Sequence, residues 1–79
     1  METTTSRNRV AGEVRASIAR SGMKPFRIAQ DAGIPQSTLS RRLSGKSAFS
    51  VDELIKIAAV LDVEVSTFFP SMRQRSAAA

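Results

Sequence analysis

Apolar residues recur at helical spacing along most of this chain, and glycines interrupt the pattern. Val10, Val14 and Ile18 lie four residues apart, which predicts a first amphipathic helix that Gly22 ends. Further on, apolar residues repeat with the same period between turn residues. The whole pattern predicts an all-α fold, a compact bundle of four to five helices at about 7–21, 25–32, 35–44, 51–61 and 64–69.

The second and third predicted helices are short and meet at a tight turn. Gly33 follows the apolar stripe of the second helix, at the place where a left-handed residue ends a helix. Pro35 has a φ suited to a first helical position, so a new helix starts at once. On this third helix Leu39 and Leu43 point the same way, and Gly45 follows as the stop. Two short helices joined in this way predict a helix-turn-helix, a motif that places its second helix in the major groove of DNA.

The third helix carries polar and basic residues opposite its two leucines. At about 100° per residue, Ser37, Arg41 and Ser44 fall on that opposite face and Ser40 lies beside them. Gln36 projects from the first turn. The helix therefore has one face for packing and one face of Gln, Ser and Arg side chains.

The sequence predicts one folded domain between two short terminal segments. Ser50 and Glu53 form a capping-box pattern that predicts where the fourth helix starts. Residues 1–6 and 71–79 are expected to be a flexible arm and a flexible tail. Residues 7–70 are then the one folded domain, and a chain of 79 residues has room for no more.

Composition excludes several kinds of chemistry. The chain has no cysteine and no histidine, so disulfides, Cys/His zinc sites and imidazole catalysis are ruled out. Its acidic residues are spread over helix faces and caps, so we expect no enzyme, no metal site and no cofactor. There is no apolar signal region, and no run approaches the roughly 18 apolar residues of a membrane span. We therefore expect a soluble, cytoplasmic protein.

The net charge of +5 is unevenly distributed. Residues 1–47 contain nine basic and three acidic side chains, whereas residues 48–79 contain three basic and four acidic ones. The positive charge thus accompanies the predicted helix-turn-helix. A polyanionic partner such as DNA requires this distribution.

The motif pieces, in order and in register, resemble a known family. They are Ile28-Ala29, Ala32-Gly33-Ile34, Gln36-Ser37-Thr38-Leu39-Ser40-Arg41, Gly45-Lys46, Leu54 and Ala58 to Leu61. From about Val10 to Phe69 the chain is similar to the Cro and phage-repressor helix-turn-helix family, also called XRE-type. The resemblance implies a transcriptional regulator that binds double-stranded DNA, a Cro-like or short immunity-type phage repressor in the bacterial cytoplasm. The chain is too short to include a ligand-sensing domain, so no small-molecule ligand is expected.

The resemblance assigns base reading to the third helix. The family positions that read base edges fall on Gln36, Ser37 and Arg41, and Ser40 lies beside them. Arg41 suits a bidentate pair with guanine and Gln36 a pair with adenine, whereas serine hydroxyls select bases weakly. The alternative for Arg41 is a solvated side chain that holds a phosphate.

The resemblance also places phosphate contacts at the start of the second helix and in the loop after the third. Arg42 stands where the family is usually apolar, so we expect its stem at the core edge and its head in solvent or on phosphate. Two arginines next to the N-terminal arm are candidates for groove contacts. The expected phosphate contacts are Lys24, Arg27, Thr38, Arg42, Lys46 and Ser47, and the expected arm contacts are Arg7 and Arg9.

Other functions stay open at this point. A helical protein-interaction module, antitoxin-like or an accessory regulator, would use a C-terminal apolar surface made of Val63, Val65, Phe68, Phe69 and Met72. RNA binding is less favoured because aromatic residues are scarce outside the predicted core. On DNA, the protein could act as a homodimer on two half-sites or as a monomer aided by its arm.

Overall fold

The computed structural model describes residues 2–69, with side chains from residue 7 onward. The elements are α1 (Glu2–Ser21), α2 (Pro25–Ala32), α3 (Gln36–Leu43), α4 (Val51–Leu61) and a 3-10 helix (Val65–Phe68). These residues form no strand, so the predicted all-α bundle is confirmed. The predicted tail, 71–79, lies outside the described residues. Among the described helices, none combines the length and the apolar character needed to cross a membrane.

The first helix begins earlier than the sequence pattern predicts. Its backbone is helical from Glu2, so residues 2–6 continue α1 where a flexible arm was expected. Chain termini are commonly unstructured, and the threonines there have weak helix propensity. Once the packed part of a helix has formed, however, each added residue contributes a hydrogen bond without a new nucleation cost. The expected start near Arg7 is corrected on that ground.

Small corrections also apply at α3 and at the last helix. Pro35 has φ −56° and ψ 139°, so it is the extended residue before α3 and not the first helical one. The helix ends at Leu43, and Ser44 caps it. The last predicted helix is a single 3-10 turn, somewhat shorter than expected. The bounds of α2 and α4 agree with the prediction.

The turn between α2 and α3 is fixed by backbone hydrogen bonds. The Ile34 N–H donates to the Ala29 carbonyl at 2.9 Å, and the Gly33 N–H donates to the Gln30 carbonyl at 3.3 Å. This pair of bonds is a Schellman motif, which needs a left-handed residue, and Gly33 has φ 72°. Because the Ile34 side chain is buried, the turn is also anchored in the core. The angle between α2 and α3 is therefore set locally.

Side chains from every element meet in one core. α2 packs on α3 and α4, while α1 packs on α3, α4 and the 3-10 helix. Phe68 is 0% exposed, so the last turn closes the bundle. On α3, Leu39 is buried at 1% exposure. The largest fully buried side chains are Phe68, Ile28, Leu39, Ile57 and Val14.

Candidate nucleic-acid interface

The outward face of α3 presents the four predicted base-reading residues. Gln36, Ser37, Ser40 and Arg41 are all exposed, because Leu39 turns the opposite side of the helix into the core. In the described part of the chain, none of these four side chains forms a hydrogen bond or an ion pair. Their donors and acceptors are therefore available to a partner molecule.

A groove runs beside this face. It has a volume of about 420 Å³ and lies between α1, the start of α2 and α3. Its lining residues are Arg15, Pro25, Gln36, Leu39, Ser40, Leu43 and Ser44. The groove brings the start of α2, where phosphate contacts are predicted, next to the polar face of α3.

The end of α3 leads into a loop with a defined shape. The Lys46 N–H donates to the Arg41 carbonyl and the Gly45 N–H donates to the Arg42 carbonyl, both at 3.1 Å. These two bonds form a second Schellman motif, and Gly45 has φ 83°. The Lys46 side chain is exposed and has no ionic or hydrogen-bond partner among residues 7–69. The predicted stop at Gly45 is confirmed, and it places Lys46 directly after α3.

Arg15 connects α1 with the end of α3. Its guanidinium donates a hydrogen bond to the Leu43 carbonyl. A cation at the C-terminal end of a helix interacts favourably with the helix dipole. This role of Arg15 is not predictable from the sequence, because its partner is a backbone carbonyl on another helix.

The Arg42 side chain is hydrogen-bonded to other side chains of the protein. Its Nε donates to Glu53 Oε1 at 3.0 Å and its Nη2 donates to Glu53 Oε2 at 3.4 Å. Its Nη1 donates to the Ser47 hydroxyl at 2.6 Å. Two residues predicted to hold phosphate, Arg42 and Ser47, thus bind each other. Arg42 stands at an unusual position in the sequence, but its pairing is not predictable from the sequence because Glu53 lies on another helix and also belongs to the capping box.

Glu53 has a double role at the start of α4. Its Oε1 accepts a hydrogen bond from the Ser50 N–H at 2.9 Å, while its own N–H donates to the Ser50 hydroxyl at 3.0 Å. This confirms the predicted capping box. Partial burial raises the pKa of the Glu53 carboxyl, but the hydrogen bonds from Arg42 and Ser50 and the Arg42 charge lower that pKa by more. The carboxyl is therefore ionised at neutral pH.

The side chains at the other predicted phosphate contacts differ in whether they already have a partner within the described part of the protein. Lys24 is exposed just before α2, and its side chain has no ionic or hydrogen-bond partner in the described region. Arg27 is also exposed, and its Nε lies 3.3 Å from Asp31 Oδ2, one turn further along α2. Thr38 is half-buried on α3. Lys24 is thus the freest cation at the start of α2.

The two arginines expected beside the arm lie on α1. Arg9 is exposed, whereas Arg7 is half-buried and its Nε has no hydrogen-bond partner among the described residues. Both positions belong to a continuous helix, which begins at Glu2. Contacts from these two residues would therefore be made from a helix surface and not from an extended segment.

The C-terminal surface considered for a protein partner is largely used by the core. Phe68 is fully buried, and Val65 and Phe69 are half-buried against the core cluster. Val63 is exposed, and Met72 lies outside the described residues. Little apolar surface remains free at this end of the described region.

Comparison with known proteins agrees with this geometry. A family model described as Helix-turn-helix matches residues 27–68, which is more than half of the chain and runs from α2 through the 3-10 helix. No curated protein matches the sequence. The matched region includes the turn at Gly33, the exposed face of α3 and the loop at Lys46. The chain belongs to the XRE-type helix-turn-helix family, the DNA-binding regulators of the Cro and lambda-repressor type.

Proposed function

We propose that this protein is a sequence-specific repressor, Cro-like or of the short immunity type, which reads double-stranded DNA with α3 in the major groove. The observation that carries the proposal is the outward face of α3. Four polar side chains are exposed there without partners in the described region, on a helix whose other face is fixed in the core. A short rigid helix with free polar groups is suited to the readout of base edges.

The proposed contacts are of two kinds, those that read base edges and those that bind phosphates. Arg41 donates two hydrogen bonds to guanine, and Gln36 pairs with adenine, while Ser37 and Ser40 make adaptable contacts. Lys24 at the start of α2 and Lys46 after α3 bind phosphates on either side of the reading helix. Further contacts to the DNA backbone come from Arg27 and Thr38, and from Arg7 and Arg9 on α1. No cofactor, metal or small ligand takes part.

We further propose that two copies bind a pair of half-sites. One recognition helix of eight residues contacts only a few base pairs. Two half-sites lie about 34–36 Å apart when they are separated by one turn of DNA. Regulation then depends on protein concentration in the bacterial cytoplasm and on the arrangement of the sites.

The test is selection of bound duplexes from a random pool, followed by affinity measurements over a range of salt concentrations. We expect a defined sequence to be enriched, with an affinity that falls linearly in a plot of log affinity against log salt. Sedimentation of the complex gives the number of protein copies per duplex. If no duplex binds at low salt, or if no sequence is enriched, the proposal is wrong.

A further inference from the structure

We infer that Arg42 is a positioning residue for the loop after the recognition helix and does not itself hold a phosphate. The inference rests on the proposed function, since it concerns how that loop meets DNA. Arg42 joins three parts of the chain: the end of α3, the loop through Ser47, and the start of α4 through Glu53. We call these three side chains the Arg42 clamp.

The clamp engages all three nitrogens of the Arg42 guanidinium. Nε, Nη1 and Nη2 each donate to a protein oxygen, and two of these bonds form a fork on the two Glu53 oxygens. The Arg42 and Glu53 side chains are only 24% and 18% exposed. By contrast, the neighbouring Arg41 is exposed and has no such partner among the described residues. The two adjacent arginines are therefore suited to different roles.

The clamp fixes the segment that carries Lys46. The loop is held at its beginning by backbone bonds from Gly45 and Lys46 to the end of α3. It is held in its middle by the Ser47 hydroxyl on Arg42, and at its end by the Ser50 N–H on Glu53 Oε1. Lys46 thus projects from a loop with three attachments. A side chain on an ordered loop loses less conformational entropy when it binds phosphate.

The charges of the pair give a second reason for placing Arg42 on Glu53 and not on a phosphate. If Arg42 turned toward a phosphate, Glu53 would be left as a partly buried carboxylate without its cation. Such a group is costly to leave unpaired, and its negative charge would also face the DNA. With the clamp closed, the charges of Arg42 and Glu53 cancel. Arg42 therefore adds little to the number of phosphates that the protein neutralises.

The test compares variants for affinity and for the salt slope, the slope of log affinity against log salt, on a duplex selected by the wild-type protein. Arg42→Met keeps the stem without the charge, and Arg42→Lys keeps the charge without the fork. Glu53→Gln keeps an oxygen for the Ser50 N–H and removes the charge. Each is expected to weaken binding by about three- to tenfold, and Arg42→Lys, which preserves the charge balance of the pair, should leave the salt slope unchanged. Lys46→Ala is the matched control, and it should lower the salt slope by about one unit.

A phosphate contact at Arg42 predicts different results. Glu53→Gln would release Arg42 and strengthen binding, and Arg42→Lys would retain most of the affinity. Either outcome overturns the inference. If the wild-type protein itself binds no duplex, the proposed function fails first.

A double-mutant cycle keeps the test informative when the ion pair is also needed for folding. Ser47→Ala removes only the loop side of the clamp and leaves Arg42 on Glu53. It should weaken binding in the wild-type background and have no further effect in the Arg42→Met background. Equal effects in both backgrounds would show that Ser47 acts independently of Arg42. Melting followed by circular dichroism identifies a temperature at which all the variants are folded.

Discussion

Adjacent residues on α3 have different surroundings because each step along the helix turns the side chain by about 100°. Arg41 is exposed beside the other polar residues of the reading face, whereas Arg42 reaches across to Glu53 at the start of α4. One residue earlier than Arg41, Ser40 lines the groove between α3 and α1. The helix face that each residue occupies, and not its type, separates the arginine proposed to read a base from the arginine proposed to position the loop.

Substitutions at Arg41 and Lys46 distinguish contacts to bases from contacts to phosphates. Arg41→Ala should cost about 1–3 kcal/mol on the selected duplex and much less on random DNA, because the lost contact is to a base. Lys46→Ala should weaken binding to all duplexes alike, because a phosphate contact does not depend on sequence. Affinities for selected and random duplexes at one salt concentration provide the comparison. If Arg41→Ala weakens both duplexes equally, Arg41 is a backbone anchor.

Asp62 is a site where stability can be gained. It has φ 58°, the one left-handed residue other than glycine among those described, and it ends α4. Asp62→Gly removes the steric cost of that conformation and a negative charge at the negative end of the helix, so it should stabilise the fold by about 1 kcal/mol. Asp62→Asn is the control for charge alone and should give a smaller gain. A lower melting temperature for Asp62→Gly would show that the Asp62 side chain is needed there.

At the scale of elements, the short helices are stabilised by interactions at their ends. α2 and α3 have eight residues each and no side-chain cap at their starts, so the Schellman turns at Gly33 and Gly45 and the core contacts fix them. α4 differs, since the capping box of Ser50 and Glu53 holds its start. The same carboxylate binds Arg42, which couples the end of α3 to the beginning of α4.

This coupling predicts a dependence of stability on pH. Because the folded-state pKa of Glu53 is lowered, its contribution is present above the ordinary pKa of glutamate and is lost as the pH falls through the lower folded-state pKa. Glu53→Gln should therefore lower stability at pH 7 and reduce the loss of stability on acidification. Urea unfolding between pH 7 and pH 3 measures both effects. Asp52→Asn, at an exposed residue of the same turn, is the control and should change the pH profile less. Parallel wild-type and Glu53→Gln profiles would contradict the coupling.

The sequence pattern predicted the elements well where the signals are local. Capping pairs, glycine stops and apolar spacing act within a few residues, and they gave the bounds of α2 and α4 and the capping box. It could not predict the bond from Arg15 to the Leu43 carbonyl or the pairing of Arg42 with Glu53. Those contacts depend on how helices cross in space. The early start of α1 has no local signal either, because residues 2–6 carry no apolar side chain that would extend the helical pattern.

At the scale of the molecule, a small core must use nearly every apolar side chain. Phe68 lies in the last turn, yet it is completely buried and packs with α1 and α4. The core cluster that holds Leu39 of α3 is therefore completed by a residue near the C-terminal end of the described region. Exposed apolar side chains elsewhere, among them Val51 and Ile55 on α4, are not part of that core.

Phe68 and Phe69 form a matched pair for testing this packing. Phe68→Ala should cost about 3–5 kcal/mol, which is a large part of the stability of a small domain, and should unfold much of the protein at 37 °C. Phe69→Ala should cost clearly less, since Phe69 is only half-buried. Thermal unfolding followed by circular dichroism gives both values. Equal costs would mean that the 3-10 helix does not close the core as described.

The central claim is that DNA lies against the outward face of α3. The most direct measurement is titration of isotope-labelled protein with a selected duplex, followed through the shifts of backbone amide resonances. We expect the largest changes at Gln36, Ser37, Ser40 and Arg41 and in the loop at Lys46, with smaller changes at Val63 and Phe69. Large changes confined to the C-terminal end of the domain, with α3 unaffected, would contradict the claim.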